Sequence, residues 1–342
     1  MIENNGALAG IRVIEMGQLI AGPFCGQLLG DMGAEIIKVE PPGQGDPMRQ
    51  WGRGDAKLWW EVVARNKKSV SANLRVAEGQ ALVKRLAGDA DILIENFKPG
   101  TLEKWGMGPE VLHALNPRLI IVRVSGYGQT GPYSSRAGFG GIGEAMGGWR
   151  HIVGDPDRTP SRMGVSIGDS LAATYGCMGA LAALHAREKT GRGQVVDSAL
   201  YEAVLQVMES LIPEYTVSNY IRERSGSILP GIAPSNVYRC KDGDYLIGAN
   251  QDAVWGRLAQ AMGRPELAAD PHFAAREAII EVDHPKWGAV KMQNVFPKLS
   301  DTPGSVRSPA PATVGEHNAE IYGGRLGLGS AERADLCERG VI

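Results

Sequence analysis

The chain is poor in the residues that build covalent or metal frameworks. Its four cysteines, Cys25, Cys177, Cys240 and Cys337, lie far apart among 342 residues and form no CxxC pair. A disulfide scaffold and a zinc-ribbon site are thereby excluded, and a reducing, cytoplasmic setting is expected. Six histidines occur without HExxH or any comparable ligand spacing, so no metal centre is expected. Neither sign of charge dominates. The formal net charge is −2, no charge run is long enough for an interaction tail, and a nucleic-acid role, which needs a basic field, is disfavoured. The amino terminus, MIENNGALAG, carries no apolar leader segment. The longest apolar stretch, 170–184, is short for a bilayer span, so no membrane partner is expected. Neither a P-loop nor, after the first strand-like run, a GxGxxG is present. The segment there reads Met-Gly-Gln-Leu-Ile-Ala-Gly-Pro-Phe (16–24), which argues against NAD or a flavin.

Hydrophobic residues make up 43% of the sequence, enough for a substantial core. Their pattern alternates between strand-like and helix-like periods. Strands are expected at 11–15, 35–40, 69–74, 91–94, 119–124 and 194–197, and helices at 22–29, 78–86 and 200–215. That alternation predicts an α/β fold with a Rossmann-like, largely parallel sheet. A Gly/Pro/Ser-rich segment at 225–231 marks a change of character. We expect a large domain over 1–224, a small α+β domain over 225–296 with strands at 236–238 and 245–249, and a carboxyl-terminal segment over 297–342.

One carboxylate stands out. Asp169 is the last ionisable side chain before a run of small apolar residues, 170–184, that reads as a buried helix. A carboxylate at a helix start is stabilised by unpaired N–H groups and the helix dipole. Asp169 can therefore be an ordinary N-cap or an anionic nucleophile. Other runs place chemistry at strand ends. Lys38 lies on a strand that leads into a glycine-rich loop, Arg-Asn-Lys-Lys-Ser (65–69) puts three cations before another, and Glu-Asn-Phe-Lys-Pro-Gly (95–100) ends a third. Open α/β sheets bind ligands at the carboxyl ends of their strands. Singly, each run is as well explained by turn residues and solvated surface.

Their order is distinctive. Asp-Met-Gly-Ala-Glu-Ile-Ile-Lys-Val-Glu-Pro-Pro-Gly (31–43), 65–69 and 95–100 are followed by Ser-Gly-Tyr-Gly-Gln-Thr-Gly-Pro-Tyr (125–133). Ala-Gly-Phe (137–139), Gly168-Asp169 and Lys-Thr-Gly-Arg-Gly-Gln-Val-Val-Asp (189–197) complete the series. This resembles the class III CoA-transferases, the family of formyl-CoA transferase and carnitine CoA-transferase, from about residue 8 to 280 and again toward the carboxyl terminus. The resemblance implies coenzyme A and acyl-CoA as substrates, a small carboxylic acid as acceptor, and an interlocked homodimer. It implies that Asp169 forms an acyl anhydride and then a CoA thioester. It would place Gln18 and Ala21 along the pantetheine channel and Lys38, Lys68, Asn96, Phe97 and Lys104 at the nucleotide end. Gly226 and Gly231 are candidates for the loop that stabilises tetrahedral intermediates. The runs 137–148 and 230–238 look like relatives that use succinyl-CoA and small dicarboxylates. A second branch of the superfamily, the α-methylacyl-CoA racemases, pairs the aspartate with a histidine. This chain has Phe139 in that context, and phenylalanine moves no proton.

The chain departs from the family pattern once. Relatives carry two Asp-Pro-x-Phe runs separated by a helical stretch and a Gly-Val-Pro segment. Here Asp-Pro-His-Phe (270–273) occurs once and leads directly into Glu-Val-Asp-His-Pro (281–285). Two runs are merged and part of the small domain is missing. Three outcomes are therefore in play: a working CoA-transferase, a CoA-binding protein without turnover, and a racemase or epimerase.

Overall fold

The structure, a computed structural model, describes residues 6–53, 58–249, 252–264, 279–284, 288–293 and 329–338, with 319 and 324 as isolated positions. The chain divides into two units, Met1–Ser227 and Ile228–Ile342.

The first unit is built on a six-stranded sheet. Its strands are β1 (Arg12–Glu15), β2 (Glu35–Glu40), β3 (Lys67–Ser71), β4 (Ile92–Glu95), β5 (Ile120–Ser125) and β6 (Val195–Ala199). They run parallel in the order β3-β2-β1-β4-β5-β6. The order reverses between β1 and β4, the switch point at which doubly wound sheets open a ligand crevice. The central strands are apolar on both faces, as burial under two helical layers requires. Val13, Ile92, Ile94, Ile120 and Val122 pack under α1 (Ala21–Asp31) and α8 (Ile167–Thr190). The alternate residues Ile14, Leu93 and Ile121 pack with Val83 of α3 (Ala77–Ala87), Leu102 of α4 (Thr101–Lys104) and Leu112 of α5 (Pro109–Leu115). A short α2 (Trp59–Val63) precedes β3. After β5 come α6 (Gly140–Met146) and α7 (Trp149–Ile152).

The long helix differs from its sequence reading. It begins three residues before 170, with Ser166 at the N-cap, so Asp169 is its third residue and not its cap. It ends at Thr190, with Gly191 left-handed at φ 69°, the usual glycine stop. At 24 residues it is long and apolar enough, by length and composition, to cross a bilayer. Here Ala172, Ala173, Ala180 and Ala183 are buried in the sheet's core. Its glycines bring it close: a Cβ at Gly179 would come 2.5 Å from Val196 Cγ1. The helix expected over 200–215 is two, α9 (Leu200–Gln206) and α10 (Leu211–Ser218), interrupted where Glu209 turns left-handed at φ 54°.

In the second unit β7 (Ser235–Arg239) and β8 (Asp244–Gly248) form the expected hairpin, with Tyr238 opposite Tyr245. It also holds α11 (Asp252–Ala261), an antiparallel pair β9 (Ile279–His284) and β10 (Gly288–Gln293), and α12 (Ser330–Glu338). The merged run 270–273 and most of the segment 297–342 lie outside the described residues.

Beneath the switch point sits a cluster of four buried charges. Lys38 Nζ lies 3.1 Å from Glu15 Oε1 and 2.8 Å from Asp46 Oδ2, and Lys67 Nζ lies 2.7 Å from Glu15 Oε2. All four side chains are at most 2% exposed. Gly26 of α1 makes room for the cluster, because a Cβ there would overlap Glu15 Oε2. Glu15 cannot swing away without leaving the buried Lys67 ammonium with no paired carboxylate and Lys38 with Asp46 alone. Gly26→Ala is therefore expected to cost about 3 kcal/mol, read as a lower urea midpoint at unchanged slope.

Candidate active site

Two adjoining clefts open at the carboxyl ends of β1, β2 and β4. The first, about 490 Å³, is lined by Gln18, Ala21, Asn96, Ser125, Phe139 and Asp169 among others. The second, about 590 Å³, is lined by Glu40, Pro41, Asn73, Arg75, Thr101 and Trp105 among others. Gln18, Phe97 and Lys98 line both, so a long ligand can run from one into the other. Every residue of both clefts belongs to the first unit.

The loop that separates the clefts is pinned at three successive residues. Lys38 Nζ donates to the carbonyl of Gly17. Asn96 accepts from the Gln18 N–H at 2.7 Å and returns a bond from Nδ2 to the Gln18 carbonyl at 2.9 Å. Asp46 Oδ1 accepts from the Leu19 N–H at 3.0 Å. Leu19 is held at φ 61°, a conformation a branched residue adopts only when its surroundings enforce it. On the opposite side of Asn96, Glu95 accepts from the Phe97 N–H and from Arg123 Nε, both at 2.7 Å. Phe97 also meets Trp105 edge-on at 5.0 Å.

Asp169 enters the first cleft from the first turn of α8. Its neighbours are glycines for a steric reason. A Cβ at Gly140 would overlap Asp169 Oδ2, and one at Gly168 would lie 3.0 Å from the Gly140 carbonyl oxygen and 3.4 Å from Glu144 Cγ. Among the described residues none hydrogen-bonds to the Asp169 carboxylate. Burial, and then repulsion from the Glu144 carboxylate, push its pKa up to about 6, while Arg162 pulls it back. Arg162 is fixed by a 3.0 Å bond to Ser166 Oγ, and Glu144 by a 2.7 Å pair with Arg150. The result is an exposed-edged, unpaired carboxylate that is ionised at neutral pH.

Not every sequence candidate reaches this place. Gln18, Ala21, Asn96, Phe97 and Asp169 line the first cleft. Lys38 does not. It is buried in the charge cluster, where burial lowers its pKa but Glu15 and Asp46 together outweigh that and raise it. Lys68 pairs with Glu35 and lines a separate hollow with Gly10 and Arg12, at the amino ends of the strands. Lys104 is exposed and lines neither cleft, although its neighbours Thr101 and Trp105 line the second. Gly226 is left-handed and bonds to the Gly154 carbonyl, away from the cleft lining. Gly231 belongs to the second unit. The cations that do line the second cleft are Arg75 and Lys98, and neither is in an ion pair among the described residues. Lys98 stood in the 95–100 run as a strand-end cation. Arg75 follows β3 in an Asn-Leu-Arg turn that carries no distinctive sequence signal.

The model of CoA-transferase family III matches residues 8–278 and again 266–318. The chain belongs to CoA-transferase family III. As such it moves CoA between an acyl-CoA and a free carboxylic acid. It is 53% identical to a succinyl-CoA--D-citramalate CoA-transferase of Chloroflexus aurantiacus, over 97% of both chains. It is 40% identical to the beta subunit of a succinyl-CoA--L-malate CoA-transferase of the same organism, over 98% of both. A CAIB/BAIF family protein from Brucella suis has the same fold, with a TM-score of 0.71 and 31% identity over 94% of this chain and 99% of that one.

The two matches to the family model overlap at 266–278. The segment that holds the merged Asp-Pro-His-Phe run thus corresponds to two separate stretches of the family. The 391 positions aligned with the citramalate enzyme exceed the chain's 342 residues by 49, so at least that many residues of the pattern are missing.

Two expectations follow from the placement of charge. Arg75→Ala and Lys98→Ala should each raise the KM for acyl-CoA about fivefold to tenfold, an effect that salt weakens, whereas Lys68→Ala should leave it within about twofold. The raised Asp169 pKa has a cost with a definite sign. Folding holds the proton more tightly than the unfolded chain does, so stability is lost as pH rises from the unfolded value through about 6. Asp169→Asn should therefore be more stable than the parent at pH 7.5, on the order of 2 kcal/mol, and the advantage should vanish by about pH 4 in thermal melts.

Proposed function

We propose that the protein transfers CoA from succinyl-CoA to a small dicarboxylic acid of the citramalate or malate type, with Asp169 as the covalent nucleophile. The observation that carries this reading is the unpaired Asp169 carboxylate, set in the cleft against Gly140. The names of the relatives supply the substrate class.

In this mechanism an Asp169 oxygen attacks the thioester carbonyl carbon. The C–S bond breaks, CoA leaves as thiolate, and a mixed anhydride remains. The thiolate then attacks the Asp169 carbonyl carbon of that anhydride, releasing the donor acid as a carboxylate and leaving an enzyme–CoA thioester. The acceptor carboxylate attacks this thioester, freeing the thiolate and forming a second anhydride. Attack of the thiolate on the acceptor's carbonyl completes transfer and restores Asp169. A carboxylate is a modest nucleophile, but it needs no base at neutral pH, and anhydride and thioester are similar enough in reactivity that neither step meets a deep trap.

The racemase route has no support in the cleft, where Phe139 stands and no histidine is among the described lining residues. A homodimer is part of the proposal. The apolar residues that α10 exposes, Ile212, Tyr215 and Val217, with Tyr220 and Ile221 after it, support contact with a second copy.

Incubation with succinyl-CoA should add an acyl or CoA mass to the peptide that contains Asp169. Asp169→Asn should remove the adduct and lower turnover by about a thousandfold or more. In the parent, kcat/KM should fall as pH drops through about 6, where the carboxylate takes up its proton. Full turnover by Asp169→Asn would overturn the mechanism, and an acid limb that stays flat to pH 4.5 would count against the ionised form as the attacking species.

A further inference from the structure

Ser125 is the last residue of β5 and lines the Asp169 cleft. It is 7% exposed, and its Oγ has no hydrogen-bond partner among the described residues. The sheet explains why. The residue beside it on β6 is Ala199, which offers no side-chain acceptor. The buried hydroxyl one residue earlier on that strand, Ser198, is satisfied within the fold by the Ala172 carbonyl at 2.8 Å. Buried hydroxyls are nearly always paired, so an orphan that borders a cleft calls for a partner that arrives from outside.

Alternation along β5 fixes where that partner lies. Val122 and Val124 belong to the face covered by α8, which carries Asp169. Ser125 shares its parity with Ile121 and Arg123, on the face toward α4, where Arg123 bonds to Glu103. It therefore stands on the wall formed with Phe97, Lys98 and Pro99. Phe97 and Lys98 also line the second cleft, so an arm that enters there and ends at Asp169 passes this wall. On the reading of the protein as a CoA-transferase, that arm is the amide-bearing chain between the nucleotide and the thioester. We propose that the Ser125 hydroxyl donates a hydrogen bond to an amide carbonyl oxygen of this arm, and so is a CoA-binding residue. Its partner is absent until the ligand binds, which makes the hydroxyl a recognition group and not a structural one.

The two roles differ in sign. A structural hydroxyl stabilises the free protein, whereas a recognition hydroxyl left unpaired does not. Calorimetric titration with CoA itself should show about tenfold weaker binding for Ser125→Ala than for the parent. Ser125→Thr, which keeps the hydroxyl, should stay within about threefold. The ligand-free Ser125→Ala protein should melt at or above the parent's temperature. In turnover, the KM for acyl-CoA should rise while kcat and the KM for the acceptor acid hold, as expected for a bond made equally in ground and transition states. Equal CoA affinity in parent and Ser125→Ala overturns the assignment, as does a ligand-free Ser125→Ala that melts several degrees lower. If the parent binds no CoA, the functional reading falls and this assignment falls with it; if the parent binds and Ser125→Ala binds equally, only the assignment falls.

Discussion

The site depends on the buried charge cluster of Glu15, Lys38, Asp46 and Lys67. Two acids and two ammonium groups sum to zero, which is the condition under which such groups persist in a core. Their desolvation is costly, and apolar residues of the same volume could pack there as well or better. What the cluster provides is position. Lys38 reaches the Gly17 carbonyl, Asp46 reaches the Leu19 N–H, and Lys67 reaches the Pro23 carbonyl in the first turn of α1 at 2.6 Å. Two anchors on the short loop and one on the helix that follows it hold Leu19 in a backbone conformation it would otherwise leave. The loop in turn presents Gln18 to both clefts. A glycine-rich dinucleotide loop reaches its shape through backbone freedom; this one reaches it through side chains that leave no alternative.

A second constraint acts at Asp169, and it works through absence of atoms. Gly140 and Gly168 let α6 and α8 meet so closely that the carboxylate lies against backbone, with no hydrogen-bond donor to it among the described residues. Glu144 adds a negative field from α6, and Arg162, tied to the N-cap serine, opposes it. The protein thus accepts a destabilised group in its cleft, at the position proposed for the nucleophile. A well-bonded aspartate would be more stable and a poorer nucleophile, because each donor it accepted would draw charge from the attacking oxygen.

These two features explain what the sequence disclosed and what it withheld. The short apolar runs of β1, β2, β4 and β5 were legible because burial on both faces leaves little room for polar residues. The break between α9 and α10 was not, since apolar spacing continues through 207–210 while Glu209 alone turns left-handed. Asp169, Asn96 and Phe97 were readable because each sits near the end of an element, where position along the chain translates directly into position at the cleft, whereas Gln18, in the loop between β1 and α1, was given only by the resemblance. The lysines were not, because a four-carbon stem can turn either into the core or toward either end of a strand. Lys38 turns inward because Glu15 and Asp46 stand beneath the switch point. Lys68 lies two strands from β1 and near the start of β3, so it faces the wrong end of the sheet. Arg75 lies past the end of β3, and only the strand order places it beside Pro41 and Trp105.

The missing part of the family pattern bears on the same division of labour. The clefts, the charge cluster and the glycine contact around Asp169 are all supplied by residues before Ser227, while the doubled match to the family falls at 266–278. On the proposed mechanism, the groups described for CoA binding and for the first anhydride therefore lie outside the shortened segment. The steps that follow make a different demand. In the proposed mechanism, once the thiolate has returned to Asp169, the enzyme–CoA thioester must meet a carboxylate before it meets water, and the electrostatics of the cleft do not choose between them: Asp169 would be neutral as a thioester, and would no longer repel an incoming acid. Selection of acid over water must then come from residues that recognise the acceptor or exclude solvent. If the second unit supplies those, shortening it affects the ratio of transfer to hydrolysis before it affects acylation itself, so the two half-reactions separate where the chain departs from its relatives.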